Sequence, residues 1–470
     1  MASVKGLKKY VAIAAGLLFA GLLTEMPERL EDFAGATPAT AQPTAIFHAF
    51  NQKYSTVETF ACALADQGYS HIQLSPAQKS NPGGEWWKRY QPVDLNTIEG
   101  LGSEEDLQWL IETAHSCGVK IIADVVFNHM ANLDGGDGFE DLSKYPGLSP
   151  ADFNTRNHNT GEKPCDINYS DGNRASELDC WLGGLPDLKF TEAVLSVQKE
   201  HLQRLMDLGV DGFRFDAAKH MPPEVVQTYI DYINQQSGGR AWNYLEVISD
   251  RDTQATDYSY IATVTDFVLY NAAKSAFTYG GDLRSLPANA VDDSRSVTFG
   301  TNHDTIKSLN SAALNPYDDI TDSYLATAYI LAREGGTPLI FSADHNNAPF
   351  LKTGVKFRQI MRSREQSGKD VTENILRVLN TDTVVLMARG AEGLFVANKG
   401  MDEFDTAVLD LTLTHLDGCY RELRNNFTVA IEWNNNKKYV TQWGSWDRGS
   451  LEIQGRDALY FIREPFERCL

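Results

Sequence analysis

From about Thr44 onward the chain alternates short apolar runs with stretches of helical spacing, for about 330 residues. That alternation restricts the fold to a βα barrel or a doubly wound sheet. Residues 45–50, 71–74, 119–127, 210–215, 242–247, 296–300 and 338–342 read as strands. The run at 119–127 is almost continuously apolar, as a parallel strand buried on both faces must be. Residues 56–67 have helical spacing and end at Gly68; residues 104–116 form a second helix, with Ser103 as N-cap and Gly118 past its end. Polar residues close several different strands: Asn128 and His129, Asp216, Glu246, His303 and Asp304. An eight-fold barrel gathers such ends at one mouth, whereas a doubly wound sheet spreads them along a crevice. The expectation is a (β/α)8 barrel, α/β in class, formed by residues 42–129 and 188–375.

Two segments break the alternation. Residues 130–187 are rich in Gly, Asp, Asn and Pro, show no sustained period, and are too long for a plain loop. They read as a small subdomain inserted after the third strand. Residues 376–470 lose the helical pattern. Stretches 384–388, 393–398 and 406–413 alternate like antiparallel strands, which predicts a C-terminal all-β domain, a sandwich being one form.

The 470 residues carry a formal net charge of -21. So acidic a surface argues against nucleic acid or an anionic membrane as the partner and suits a neutral polymer. Lys5, Lys8 and Lys9 precede an apolar run at 11–23. The run is short for a membrane span of roughly 20 residues and reads as a signal peptide. Ala39-Thr40-Ala41 offers a cleavage site, giving a leader of residues 1–41 and a secreted mature protein. A cut after Ala36, or an uncleaved anchor, is the alternative. The six cysteines suit an oxidising compartment. Sequence order groups them as Cys62 with Cys117, Cys165 with Cys180, and Cys419 with Cys469. Buried free thiols are the competing reading.

Four segments carry the chemistry: Asp124-Val-Val-Phe-Asn128-His129, Gly212-Phe-Arg214-Phe-Asp216-Ala-Ala-Lys219-His220, Leu245-Glu246-Val247, and Thr301-Asn302-His303-Asp304. Singly, each strand-end Asp could be a cap and each His a structural histidine. In this order, each after an apolar run, they resemble the four signature regions of the α-amylase family of glycoside hydrolases. Trp86-Trp87-Lys88-Arg89-Tyr90-Gln91-Pro92-Val93 and the segment 179–188 resemble that family's substrate-stacking and calcium-site segments. The resemblance spans about residues 45–345 and is weaker beyond.

The resemblance implies endo-hydrolysis of α-1,4-glucosidic bonds in starch and glycogen by a retaining double displacement. It makes Asp216 the nucleophile, Glu246 the general acid/base and Asp304 the third carboxylate. Arg214, two residues before Asp216 on the same strand, points into the same mouth. Asp124 reads as structural. His129 and His303 would bind sugar hydroxyls. Tyr90, Trp86, Trp87 and Gln91 would line the stacking platform, unless one tryptophan belongs to the core. Lys219 and His220 would serve the leaving-group side. A structural calcium is implied, held by the Asn128 side chain, the Asp187 carboxylate, and backbone carbonyls at His220 and near Leu178. Chloride is not expected: Arg214 and Asn302 are present, but Pro338 stands where the anion's second basic residue would fall. The implied partners are starch and maltooligosaccharides, for a protein acting as a monomer off the membrane.

Four other functions compete. A glucanotransferase shares the whole catalytic set. An exo-acting relative would also share it, and product analysis separates these from an endo-hydrolase. A non-catalytic relative would lack a carboxylate that is present here. A metal hydrolase built on Asp124, His129 and His220 lacks HxH or HExxH spacing.

Overall fold

The computed structural model describes residues 41–133, 141–169, 172–286, 291–309, 313–376, 381–406, 415–434, 437–442 and 451–469. The expected leader lies outside the described residues up to position 40.

Eight parallel strands close into a barrel: β1 (Ile46–Ala49), β2 (His71–Leu74), β3 (Lys120–Val126), β4 (Gly212–Asp216), β5 (Tyr244–Leu245), β6 (Thr263–Thr265), β7 (Ser296–Thr298) and β8 (Thr337–Phe341). β1 pairs with both neighbours, Ile46 opposite His71 on β2 and opposite Leu339 on β8, so no edge is left open. Nearly every strand residue is buried, which is why the strands read as apolar runs. Helices Glu104–Ser116, Glu192–Asp207, Pro223–Ser237, Phe267–Phe277, Ile320–Ala332 and Pro349–Gln366 follow β2, β3, β4, β6, β7 and β8. Ser103 and Asp106 form a reciprocal capping box at the first of these.

The structure departs from expectation in three places. The single helix expected over 56–67 is two, Tyr54–Glu58 and Ala61–Gln67. Phe60 leaves helical geometry (φ -123°, ψ 4°) and sets its ring edge-on to Phe47 at 5.8 Å. Gly68 does end the second piece, at φ 104°. β5 is only two residues long, and β6 carries no apolar run to announce it. Among the described residues a single 3-10 turn, Ala255–Asp257, stands between those two strands instead of a long helix.

The subdomain inserted after β3 has little regular structure. Its described residues include a short helix, Arg174–Asp179, a 3-10 turn, Pro150–Asp152, and isolated bridges, with Cys165 bonded to Cys180. The C-terminal β domain is a seven-stranded antiparallel sheet with a two-stranded ribbon, Phe404–Asp405 against Glu452–Ile453. The sheet's first strand starts at Glu373, slightly before the boundary expected at 376. The strand expected at 406–413 lies outside the described residues from position 407. One face of the sheet (Met387, Phe395, Tyr460, Ile462) joins the barrel's own core, and the other (Leu386, Val396, Phe461) packs under the ribbon with Ile453. Cys62–Cys117 and Cys419–Cys469 are the other two disulfides; no described cysteine is free.

Candidate active site

The ends of β3, β4 and β5 converge on one guanidinium, and the loop after β7 brings Asp304 beside them. Arg214 and Asp216 are two apart on β4, so their side chains point the same way, into the mouth. Arg214 is 3% exposed; its Nη1 donates to both oxygens of Asp124 and to Asp216 Oδ1, each at 2.8 Å. Its Nη2 pairs with Glu246 Oε1. Immediately after Asp216 the chain turns sharply: Ala217 has φ 49°, a left-handed conformation that costs a residue with a Cβ about 1–2 kcal/mol. The turn aims the Ala217 N–H at Glu246 Oε2, at 2.9 Å. Asp304 lies beside Glu246, and His303 Nε2 is 3.4 Å from Asp304 Oδ2.

Three buried carboxyl groups thus share one cation, with the half-buried Asp304 beside them. Burial pushes Asp216 up, and Glu246, Asp124 and Asp304 add to the push while Arg214 pulls it down. Burial likewise raises Glu246, with Arg214 opposing and Asp304 reinforcing, and raises Asp304. Asp124 is pushed by burial up to about 7 despite Arg214. The neighbouring imidazoles add no charge: burial lowers His129 to about 4 and His303 to about 3, and lowers His48 too. One guanidinium cannot neutralise four carboxylates, so the cluster retains protons where an isolated carboxyl would be ionised.

One wall is aromatic. Tyr90 is buried, stacks on His303 with centroids 5.0 Å apart, and donates its hydroxyl to Asp124. Trp86 leans on Phe50, Tyr90 and His303 and donates its indole N–H to Leu309 O at 3.0 Å. Trp86 is therefore the tryptophan partly absorbed into a small core, whereas Trp87 stands 44% exposed. Gln91 accepts from Asn81, and His129 Nε2 is 3.0 Å from Tyr90 O. His48, whose ring nitrogens both lack a partner, lies against His303 and has no signal in the motifs.

A second cluster lies beyond Asp216. His220 Nδ1 is 3.0 Å from the Glu177 carbonyl, which brings the backbone next to Leu178 beside the His220 turn. Asn128 and Asp187 are buried, and their side chains face each other. Asn128 Oδ1 has no hydrogen-bond partner, and burial pushes Asp187 well up, relieved by Asn154 and Asn128. An orphaned amide oxygen and an undercompensated carboxylate are a fit for a hard cation with oxygen ligands. Among the described residues no three His, Cys, Asp or Glu side chains group as metal ligands. Asn302 Oδ1 accepts the N–H groups of Asp304 and Thr305, and Pro338 sits on β8 opposite Thr298. Lys219 is buried between Asp250 and Glu177. Those two carboxylates escaped the motif reading because each lies in a separate, patternless loop or short helix.

A family model for the α-amylase catalytic domain matches residues 64–280. An α-amylase of Aeromonas hydrophila is 32% identical over 406 residues, covering 76% of this chain and 85% of that one. An α-amylase of Phaedon cochleariae is 31% identical over 345 residues, covering 67% and 69%. The crystal structure of wild-type α-amylase I from Eisenia fetida superposes with a TM-score of 0.70 at 23% identity, over 88% of this chain and 98% of that one. With its closed barrel, inserted subdomain and carboxyl-lined mouth, the chain belongs to the α-amylase family of glycoside hydrolases.

Proposed function

We propose that this glycosidase is secreted and cuts internal α-1,4-glucosidic bonds of starch, glycogen and maltooligosaccharides with retention of configuration, acting as a monomer. The observation that carries the mechanism is the shared guanidinium: Asp216 and Glu246 both accept from Arg214. Two carboxyl groups on one cation stand close together, as a nucleophile and its partner acid must; an inverting pair needs room for a water between them. In the first step an Asp216 oxygen attacks the anomeric carbon while Glu246 gives its proton to the departing glycosidic oxygen. In the second, Glu246 takes a proton from water, the oxygen attacks the same carbon, and Asp216 leaves. Asp304 supports both steps by holding the sugar, and the first step by keeping Glu246 protonated. His129 and His303, neutral in their buried settings, bind sugar hydroxyls beside the Tyr90 ring.

Calcium would be held by Asn128, Asp187 and the carbonyls of His220 and Leu178, and would supply charge compensation there. The residues of that cradle tie the inserted subdomain to the turn that follows Asp216. Arg214 is already engaged by three carboxylates, and Pro338 brings no second cation, so activity is independent of chloride. We assign residues 42–129 and 188–375 to the barrel, 130–187 to the inserted subdomain and 376–470 to the β domain. Three disulfides support export through the leader at 1–41.

The test is a blocked p-nitrophenyl maltoheptaoside with a coupling α-glucosidase. Colour is expected with the wild type, since the block stops exo-acting enzymes. Glu246→Gln and Asp216→Asn should each lower kcat by about a thousandfold or more with starch binding retained. Glu246→Gln at a tenth of wild-type activity would remove the acid/base assignment. No colour, with transfer products from free maltoheptaose, would make the chain a transferase.

A further inference from the structure

Lys219 does not reach into open solvent. Its ammonium pairs with Asp250, lies 3.7 Å from Glu177 Oε1, and sits 4.7 Å over the ring of Tyr169. Those partners come from different parts of the chain. Tyr169 and Glu177 belong to the inserted subdomain, Lys219 to the 3-10 turn Ala218–His220 after β4, and Asp250 to the loop after β5 that begins just past Glu246. The surroundings repeat the pattern. Arg174 donates to Glu177 Oε2 at 2.6 Å and to the Tyr258 hydroxyl. Tyr258 in turn donates to the carbonyls of Met221 and Lys219, and Thr253 donates to Glu177 Oε2. The Lys219 N–H reaches the Glu246 carbonyl.

Glu177 is wholly buried, and a carboxylate costs several kcal/mol to bury unless it is paired and hydrogen-bonded. Its Oε2 is satisfied by Arg174 and Thr253, while its Oε1 accepts no hydrogen bond and faces the Lys219 ammonium. Asp250 is the more exposed of the two carboxylates and takes the direct bond. Lys219 therefore has two anionic restraints on opposite segments, and any sugar that calls on its ammonium meets it already fixed.

We infer that Glu177 is a positioning residue for the leaving-group side of the cleft: with Asp250 it fixes Lys219, and through Lys219 it sets how strongly glucose units beyond the cleaved bond are held. This rests on the reading of Lys219 as a contact on that side. Glu177 itself touches no reacting atom. Fixing the lysine in advance removes the side-chain entropy that a free lysine would lose on binding.

The experiment compares two substrates on the full-length mature protein. Maltoheptaose places glucose units on the leaving-group side; α-maltotriosyl fluoride places only fluoride there. Glu177→Gln keeps the side-chain volume and removes the charge. On maltoheptaose its kcat/KM should fall on the order of tenfold, chiefly through KM, the loss of one charge-assisted contact. On the fluoride it should stay within about twofold. The fall should also vanish when Lys219→Met is already present, because the two residues then act as one unit. Equal falls on both substrates, no fall on maltoheptaose, or additive effects with Lys219→Met would overturn the inference. Should Glu177→Gln not fold, Asp250→Asn is read by the same ratio and the same cycle. A wild type inactive on both substrates would instead sink the reading of the site beneath it.

Discussion

Asp344 shows what a single buried charge does outside the carboxyl cluster around Arg214. It is 2% exposed in the short helix Ser342–Asn347, between β8 and helix Pro349–Gln366, and the Thr301 hydroxyl donates to it. Burial pushes its carboxyl up to about 7, well above its value in an unfolded chain. Between those two values the folded state binds the extra proton, so stability falls as pH rises through that window and the full penalty is present above it. Asp344→Asn keeps an amide where the protonated acid would sit and removes the penalty. Its melting temperature should exceed the wild type's by several degrees at pH 8 and match it at pH 4; thermal scans at both values decide, and equal curves at pH 8 would end the argument. At this scale the sequence was readable where residues are neighbours on one strand, as Arg214 and Asp216 are. It was silent where buried partners come from distant loops, as Glu177 and Asp250 do around Lys219, because no local period records such a contact.

Elements were legible in proportion to their apolar length. β3, with seven residues and a near-continuous apolar run, is announced by its sequence, whereas β6 has three residues with threonine at both ends. A barrel strand that short is defined by its neighbours, Val264 opposite Ser296 on one side and Leu245 on the other, not by its own pattern. The inserted subdomain is the opposite case, an element defined by staples. Trp181 is fully buried and donates to the Asn154 carbonyl at 2.7 Å, and Met130, Leu142, Tyr145, Phe153 and Leu188 form a small core with Val194 of the barrel helix Glu192–Asp207. The bond between Cys165 and Cys180 closes a loop of sequence separation 15, a constraint of about 3 kcal/mol in the chain-entropy account. Cys165→Ser combined with Cys180→Ser should speed native-state proteolysis within residues 154–181 while the barrel's circular dichroism is retained. An unchanged cleavage rate would mean that Trp181 and the small core suffice.

Across the whole molecule the cradle of Asn128 and Asp187 joins the inserted subdomain to the barrel. Extended dialysis against EDTA should lower the melting temperature by many degrees, with recovery on adding calcium. An unchanged melting curve would remove calcium from the account. At the other end the C-terminal sheet does not hang from a linker. Lys399 donates to the carbonyls of Ala276 and Thr278 at the end of helix Phe267–Phe277, and Arg456 pairs with Asp319 and Asp322 at the start of the helix after β7. The Tyr460 hydroxyl reaches the Ala328 carbonyl and lies so near Gly354 that a Cβ there would collide with it. The β domain is therefore not a portable cassette. A chimera that swaps it for another enzyme's module inherits an uncapped helix end, two unpaired acids and a bare helix face. Recombination would have to carry those helices across together with the sheet.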